Sequence, residues 1–182
     1  MKLGLLFLIA ATLRGPADVA TLTAASDAVV HARVVRSASA WGVGGPSSGV
    51  IYTRVTLAPL EWWKGDALPG AVRVAGAGLV EVVVRVPGGA VGEIDQTVQG
   101  VAKFGEGEEV VVFLRRLAPA LFEVERWALG KFSVGPAVRA GGHSARAVRD
   151  RTSVSCVGCR TGEGDDFALD DLRARVRGSQ RR

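Results

Sequence analysis

Two cysteines three positions apart, in Cys156-Val157-Gly158-Cys159, form the spacing in this chain with the widest chemical repertoire. Such a pair can close a disulfide, act as a redox couple, or supply half of a zinc site. The redox reading needs a helix starting at the first thiol, which lowers its pKa. Arg160-Thr161-Gly162-Glu163-Gly164 follows instead, a poor helix start. Zinc needs two further ligands, and the two histidines, His31 on a strand pattern and His143 in a Gly-rich stretch, are not spaced to provide them. In an oxidising compartment, neighbouring cysteines usually pair with each other. The expectation is a structural Cys156–Cys159 disulfide, with no metal and no cofactor, and a thiol or metal protein is the alternative.

Other chemistry-bearing residues point to structure. Asp27 and His31 share a strand face but lie about 13 Å apart, too far for a catalytic pair. No Gly-x-Ser-x-Gly turn presents a nucleophile. Glu106, Glu108 and Glu109 resemble a general acid–base pair, yet Gly105 and Gly107 between them favour a solvated turn entering a strand. The glycines of "VPGGAVGEI" lack a following helix, so they make a tight turn and cradle no phosphate. No catalytic residue is expected, and the chain reads as a non-enzyme.

The adjacent rings of Trp62 and Trp63 pose a different question. On a strand they point to opposite faces. A bulge at Pro59, which lacks an N–H, would turn Leu60 and Trp62 inward and Trp63 outward beside Lys64. Without the bulge the two rings exchange places. One ring therefore sits on the rim, either as a docking surface with Lys64 and Trp41 (and Trp127) or covered by a C-terminal helix. A second candidate surface is cationic: Arg173, Arg175, Arg177, Arg181 and Arg182 could grip an anionic envelope surface. Aromatic interleaving is absent there, so nucleic acid is not expected as a partner.

The first residues indicate the compartment. Met1-Lys2, an apolar run from Leu3 to Leu13, and small residues at Gly15 and Ala17 match a signal peptide over 1–17. The run is far shorter than the roughly 20 residues that span a bilayer, and no transmembrane segment is expected. A secreted or periplasmic protein follows. Charge is uneven along the rest. Residues 18–138 hold 11 Lys and Arg against 12 Asp and Glu, a net of −1, whereas residues 139–182 hold 10 Arg against 6 acids, a net of +4. The high pI belongs to the tail and says little about the fold.

Between residues 27 and 134 the pattern is that of strands. Ala28, Val30, Ala32 and Val34 share one face, as do Ile51, Thr53, Val55 and Leu57, and Val80, Val82, Val84 and Val86. "EEVVVFLRR" is apolar on both faces, the mark of a central strand. Six or seven short β-branched strands separated by Gly and Pro predict an all-β fold, a small OB-like barrel over 18–134. Residues 20–26 predict a short helix. Residues 135–165 read as a Gly/Ser/Arg-rich linker. In 166–178, Leu169, Leu172 and Val176 fall on one face of an amphipathic helix, with Asp166 as N-cap and Gly178 just past its end; it docks on the barrel or caps one end, and 179–182 forms a basic tail.

The segments "DAVVHARVV", "TRVTLAPLEWWKG", "GEGEEVVVFL" and "GKFSV" resemble uncharacterised bacterial secreted proteins of netrin-like type, whose OB-type barrel is shared with tissue inhibitors of metalloproteinases. The resemblance covers 27–134 and implies a binding or inhibitory module meeting a protein or polysaccharide partner. Those inhibitors present an N-terminal cysteine to the protease zinc; the start expected here, Asp18-Val19-Ala20, has none. An envelope-associated structural protein held by its basic tail is a further alternative.

Overall fold

A computed structural model describes residues 13–14, 18–45, 49–65, 72–73, 80–119, 121–136, 145–149, 156–157 and 166–180. In chain order the elements are β1 (Leu13–Arg14), α1 (Val19–Ala25), β2 (Ala28–Trp41), β3 (Ile51–Lys64), β4 (Val72–Arg73), β5 (Val80–Pro87), β6 (Gly89–Val91) and β7 (Ile94–Gln96). They continue with β8 (Glu109–Ala118), β9 (Leu121–Val124), a 3₁₀ turn (Trp127–Gly130), β10 (Lys131–Pro136), β11 (Ala145–Val148), β12 (Cys156–Val157), β13 (Asp166–Ala168) and α2 (Leu169–Ser179). The protein is all-β with a short helix near its start and a longer one at its end.

The largest sheet has nine strands and runs β13-β11-β10-β8-β2-β3-β5-β4. It does not close into the six- or seven-stranded barrel that the spacing predicts. Only β9 bridges its halves, antiparallel to β8 and parallel to β5, the latter through Val83↔Leu121 and Val84↔Phe122 alone. The reason lies in β8, whose second edge is shared. Leu114 to Ala118 pair with β9, whereas Glu109 to Val112 pair with β10. The 3₁₀ turn between β9 and β10 diverts the chain, so one end of β8 joins the curl and the other carries β10, β11 and β13 away from it. The stretch read as a linker therefore contributes the end of one strand and the whole of another to the sheet: β10 runs on to Pro136, and Ala145–Val148 pairs with both β10 and β13. Four residues between masking glycines and arginines are too few to register as a periodic signal.

Curling requires β2 and β3 to bend, and both do so at bulges. The β2–β3 register slips between Val29 and Val30, between His31 and Ala32, and between Val34 and Arg36. Each extra residue increases the local twist. The middle slip lies opposite Pro59, beyond Leu57, the last β3 residue paired to β5, so the missing N–H leaves no ladder bond broken.

Two cores result. Inside the curl, Val30, Ala32, Val34, Val55, Leu57, Val82, Val84, Val110, Val112, Leu114 and Phe122 form the inner cluster. On the outer face, Val29, Val111, Phe113 and Phe132 meet Val19 and Leu22 of α1 and Leu172 and Val176 of α2. The central position predicted for β8 is correct, since Val110 to Leu114 are all fully buried. Helix α1 starts at Asp18, whose carboxylate accepts from Thr21 N–H at 2.7 Å. Helix α2 starts later than its sequence signature. Asp166 is drawn into β13 by pairing with Val148 and by Arg146, leaving Ala168 as N-cap without a side-chain bond, and Gly178 lies within the helix. Its Leu172–Val176 face lies flat on the outer sheet surface.

Leu172→Ala should therefore cost about 2–5 kcal/mol, whereas Leu60→Ala, at an exposed bulge position, should stay within about 0.5 kcal/mol. Urea unfolding followed by circular dichroism distinguishes the two.

Candidate functional site

From Arg36 onward β2 has left β8 and pairs only with β3, so the two strands extend past the curl as an arm. The β6–β7 hairpin folds back against the arm's inner face. Its contact is so close that a Cβ on Gly89 would stand 2.3 Å from both Ser39 Oγ and Thr53 Oγ1, and its φ of 131° is itself unfavourable for other residues. Thr53 Oγ1 donates to Gly88 C=O at 2.8 Å. Gln96 fixes the far side, accepting from Ile51 N–H at 2.8 Å and donating to Gly49 C=O at 3.0 Å. The tight turn that the sequence places in "VPGGAVGEI" falls at Gly92-Glu93, between β6 and β7, whereas Gly88 and Gly89 carry the chain from β5 into β6.

Between arm, hairpin and the segment 97–104 lies an open cleft of about 270 Å³. Its floor is the end of the inner core, Val55, Val86, Val101 and Ala102, while Ser37, Thr53, Asp95, Thr97, Lys103 and Phe104 stand around it. A smaller hollow bounded by Arg85, Glu123 and Trp127 shares Val86, Pro87, Val101 and Ala102 with it. An apolar floor under a rim of hydroxyls, one cation, one anion and one aromatic edge suits a ligand with an apolar face and several polar groups.

Behind Phe104 a compact polar group holds the cleft wall. Lys131, only 7% exposed, donates to Glu108 and to Ser133 Oγ, and lies 5.2 Å from the centre of the Phe104 ring. Ser133 Oγ also donates to Glu108 at 2.6 Å, and Gly105 N–H donates to its other oxygen at 2.9 Å. Burial by itself would raise the Glu108 pKa. The hydrogen bonds from Lys131, Ser133 and Gly105 outweigh burial, and the carboxyl is held below its ordinary value. The three glutamates are engaged separately. Glu106 instead accepts from Ser37 N–H at 3.0 Å, and Glu109 pairs with His31 at 2.7 Å and Arg33 at 3.5 Å.

The two adjacent tryptophans serve different cores. Trp62 packs against the inner cluster, the inward phase that a bulge at Pro59 gives it, although Leu60 turns out to solvent. Trp63 points the other way and is 3% exposed beneath α2. Its Nε1 donates to Glu61 at 3.0 Å, its carbonyl accepts from Gln180, and its ring lies 5.9 Å from that of His31. Lys64 is also occupied, donating to the carbonyls of Thr23 and Ser26 at the end of α1, each at 2.6 Å. Trp41 stands apart, half-buried near the tip of the arm.

The cationic surface is reduced in the same way. Arg173 and Arg177 both reach Glu61 at 2.9 Å, and Arg175 stacks 5.3 Å over the Phe167 ring. Arginines of α2 thus lock the helix onto β3. Arg181, Arg182 and Cys159 lie outside the described residues, and Cys156 is described only as backbone paired to Leu13. The leader expected over 1–17 also lies outside them, apart from Leu13–Arg14. Among the described residues, no group of three or more His, Cys, Asp or Glu could hold a metal ion, and no helix is long and apolar enough to cross a membrane. The sequence matches no family model and no curated protein.

The cleft could not be read from sequence. Its rim comes from four separate segments, and the one local signal was the Gly88-Gly89 pair, which marks a turn without showing what the turn approaches. Gly89→Ala should displace the hairpin from the arm and lower the melting temperature, with lost amide-exchange protection confined to β6 and β7. The Glu108 pairing carries a pH signature. A carboxyl with a lowered folded pKa stabilises above its unfolded value, about 4.3, and the contribution is lost as pH falls through the folded value. Glu108→Gln should therefore melt below the wild type at pH 7, with the gap closing in acid, as followed by calorimetry.

Proposed function

We propose that this protein is a secreted, non-enzymatic binding module that takes its ligand in the cleft between the β2–β3 arm and the β6–β7 hairpin. The observation that carries the reading is the cleft itself: an apolar floor and a mixed polar rim on backbone fixed by Gly89 and Gln96. A preformed wall lowers the ordering cost of binding. The rim chemistry favours a chain-like ligand, a polysaccharide or an extended polypeptide, that lays an apolar face on Val55 and Val86 and its polar groups toward Thr53, Asp95 and Lys103.

The strand arrangement supports the netrin-like resemblance. The pairings β8-β2-β3-β5 are linked back to β8 through β9, with one parallel contact, an order compatible with a partly open OB-type Greek key. The resemblance stops short of zinc-directed inhibition, because Asp18 caps α1 and the chain there carries no cysteine. The engagement of Arg173 and Arg177 with Glu61 favours the cleft over the tail as the ligand-facing surface.

Titrating the isotope-labelled protein with oligosaccharide and peptide pools tests this. Amide shifts should move first at Thr53, Gln96, Thr97, Lys103 and Phe104, and Lys103→Ala should weaken binding at least about tenfold, the scale of one charge-assisted hydrogen bond. Shifts confined to α2, or a response unchanged by Lys103→Ala, would refute the assignment.

A further inference from the structure

One edge of the arm is left open. Up to Val34, the outer edge of β2 is paired: Val34 N–H donates to Glu108 C=O and Val34 C=O accepts from Gly107 N–H. The slip between Val34 and Arg36 then reverses the phase. Gly42 N–H bonds Val50 C=O, so Ala40, Ala38 and Arg36 also turn their backbone groups toward β3, while Ser37, Ser39 and Trp41 turn theirs away. Among the described residues no strand pairs with that side. The Glu106 carboxylate takes Ser37 N–H, and the carbonyl of Ser37, both groups of Ser39 and the N–H of Trp41 remain directed outward.

Open edges are normally guarded by lysine, proline or a bulge. This one reads Ser37-Ala38-Ser39-Ala40-Trp41, small and uncharged up to the terminal ring. We propose that the arm pairs with the arm of a second copy of this chain, antiparallel and two-fold about Ser39, making one continuous sheet across the dimer. The observations select a copy over another partner because the segment is complementary to itself. A centre at Ser39 sets the two Ser39 residues as a hydrogen-bonded pair and Trp41 N–H against Ser37 C=O, giving four backbone bonds without disturbing Glu106. Flanking the paired stretch are Val35, at the bulge, and Val43, in the turn after Trp41, two of the large apolar side chains most open to solvent, at 45% and 103%. Charge is compatible as well: Arg36 meets Gly42, and the two Arg36 side chains stand roughly 20 Å apart along the strands. A short strand pair lies at the small end of interfaces, so the dimer is a weak, concentration-dependent one. This inference does not depend on the cleft having a ligand.

Sedimentation velocity over micromolar to millimolar protein reads the association. Ser39→Pro removes the central N–H and should weaken it at least about tenfold. As a second measurement that leaves the backbone donors intact, Ser39→Cys in a Cys156→Ser/Cys159→Ser background should form an intermolecular disulfide under mild oxidation. The hydrogen-bonded centre sets the Cα atoms about 5.5 Å apart, within disulfide reach. Arg36→Cys, far from its symmetry mate, should not cross-link. A chain that stays monomeric at millimolar concentration, a dimer that Ser39→Pro leaves unchanged, equal cross-linking at 36 and 39, or a monomer whose arm instead captures an unrelated extended peptide would each overturn the proposal.

Discussion

Strand β8 must bury both of its faces, and much of the remaining architecture follows from that demand. Val110, Val112 and Leu114 project one way and Val111 and Phe113 the other, all withdrawn from solvent. A single two-layer sheet cannot satisfy such a strand, because one face would stay wet at a cost of about 25 cal/mol for each Å² of apolar surface. The chain covers the first face by curling β2, β3, β5 and β9 around it. It covers the second with two helices from opposite ends of the sequence. The short α1 and the C-terminal α2 have few internal reasons to be stable alone, and each is held by what it covers.

Polar groups at the edge of the outer core act as fasteners. Glu61 collects Trp63 Nε1, Arg173 and Arg177, while Lys64 next but two in sequence secures the end of α1. The "EWWK" stretch thus does two structural jobs at once, with Trp62 serving the inner core and its three neighbours serving the outer one. The half-exposed ion pairs contribute modestly on their own. Their value lies in orienting α2 so that Leu172 and Val176 meet the sheet. Of the arginine-rich end, which in isolation suggests an anionic partner, Arg173 and Arg177 are paired with Glu61 and Arg175 lies over the Phe167 ring.

Both faces of β8 are covered, and the arm lies beyond them. There β2 and β3 continue past β8, the hairpin closes on their inner face to leave the cleft, and among the described residues no strand pairs with the outer edge of β2. The cleft and the edge arise from one cause, the length of β2 and β3 relative to the strands flanking them. Fourteen residues each exceed what the ten of β8 can accompany, and the offset adds to this, since β8 begins at Glu109, opposite Arg33.

The sequence by itself determined the class of fold, the central place of β8, the short opening helix, the apolar face of α2 and a tight turn within "VPGGAVGEI", because each depends on local periodicity or on backbone freedom within a few residues. It narrowed the Trp62/Trp63 question to two phases, and the register slip opposite Pro59 selects the one that turns Trp62 inward, though Leu60 does not follow it. Tertiary structure alone decided the rest. Whether Trp63 is a surface or a core residue depends on where a helix beginning at Leu169 comes to lie; whether Glu109 is a free carboxylate depends on His31, 78 residues away. The curl stays incomplete because β9 and β10 compete for one edge of β8, and competition for hydrogen-bonding edges is a property of the assembled sheet that no single strand's pattern encodes.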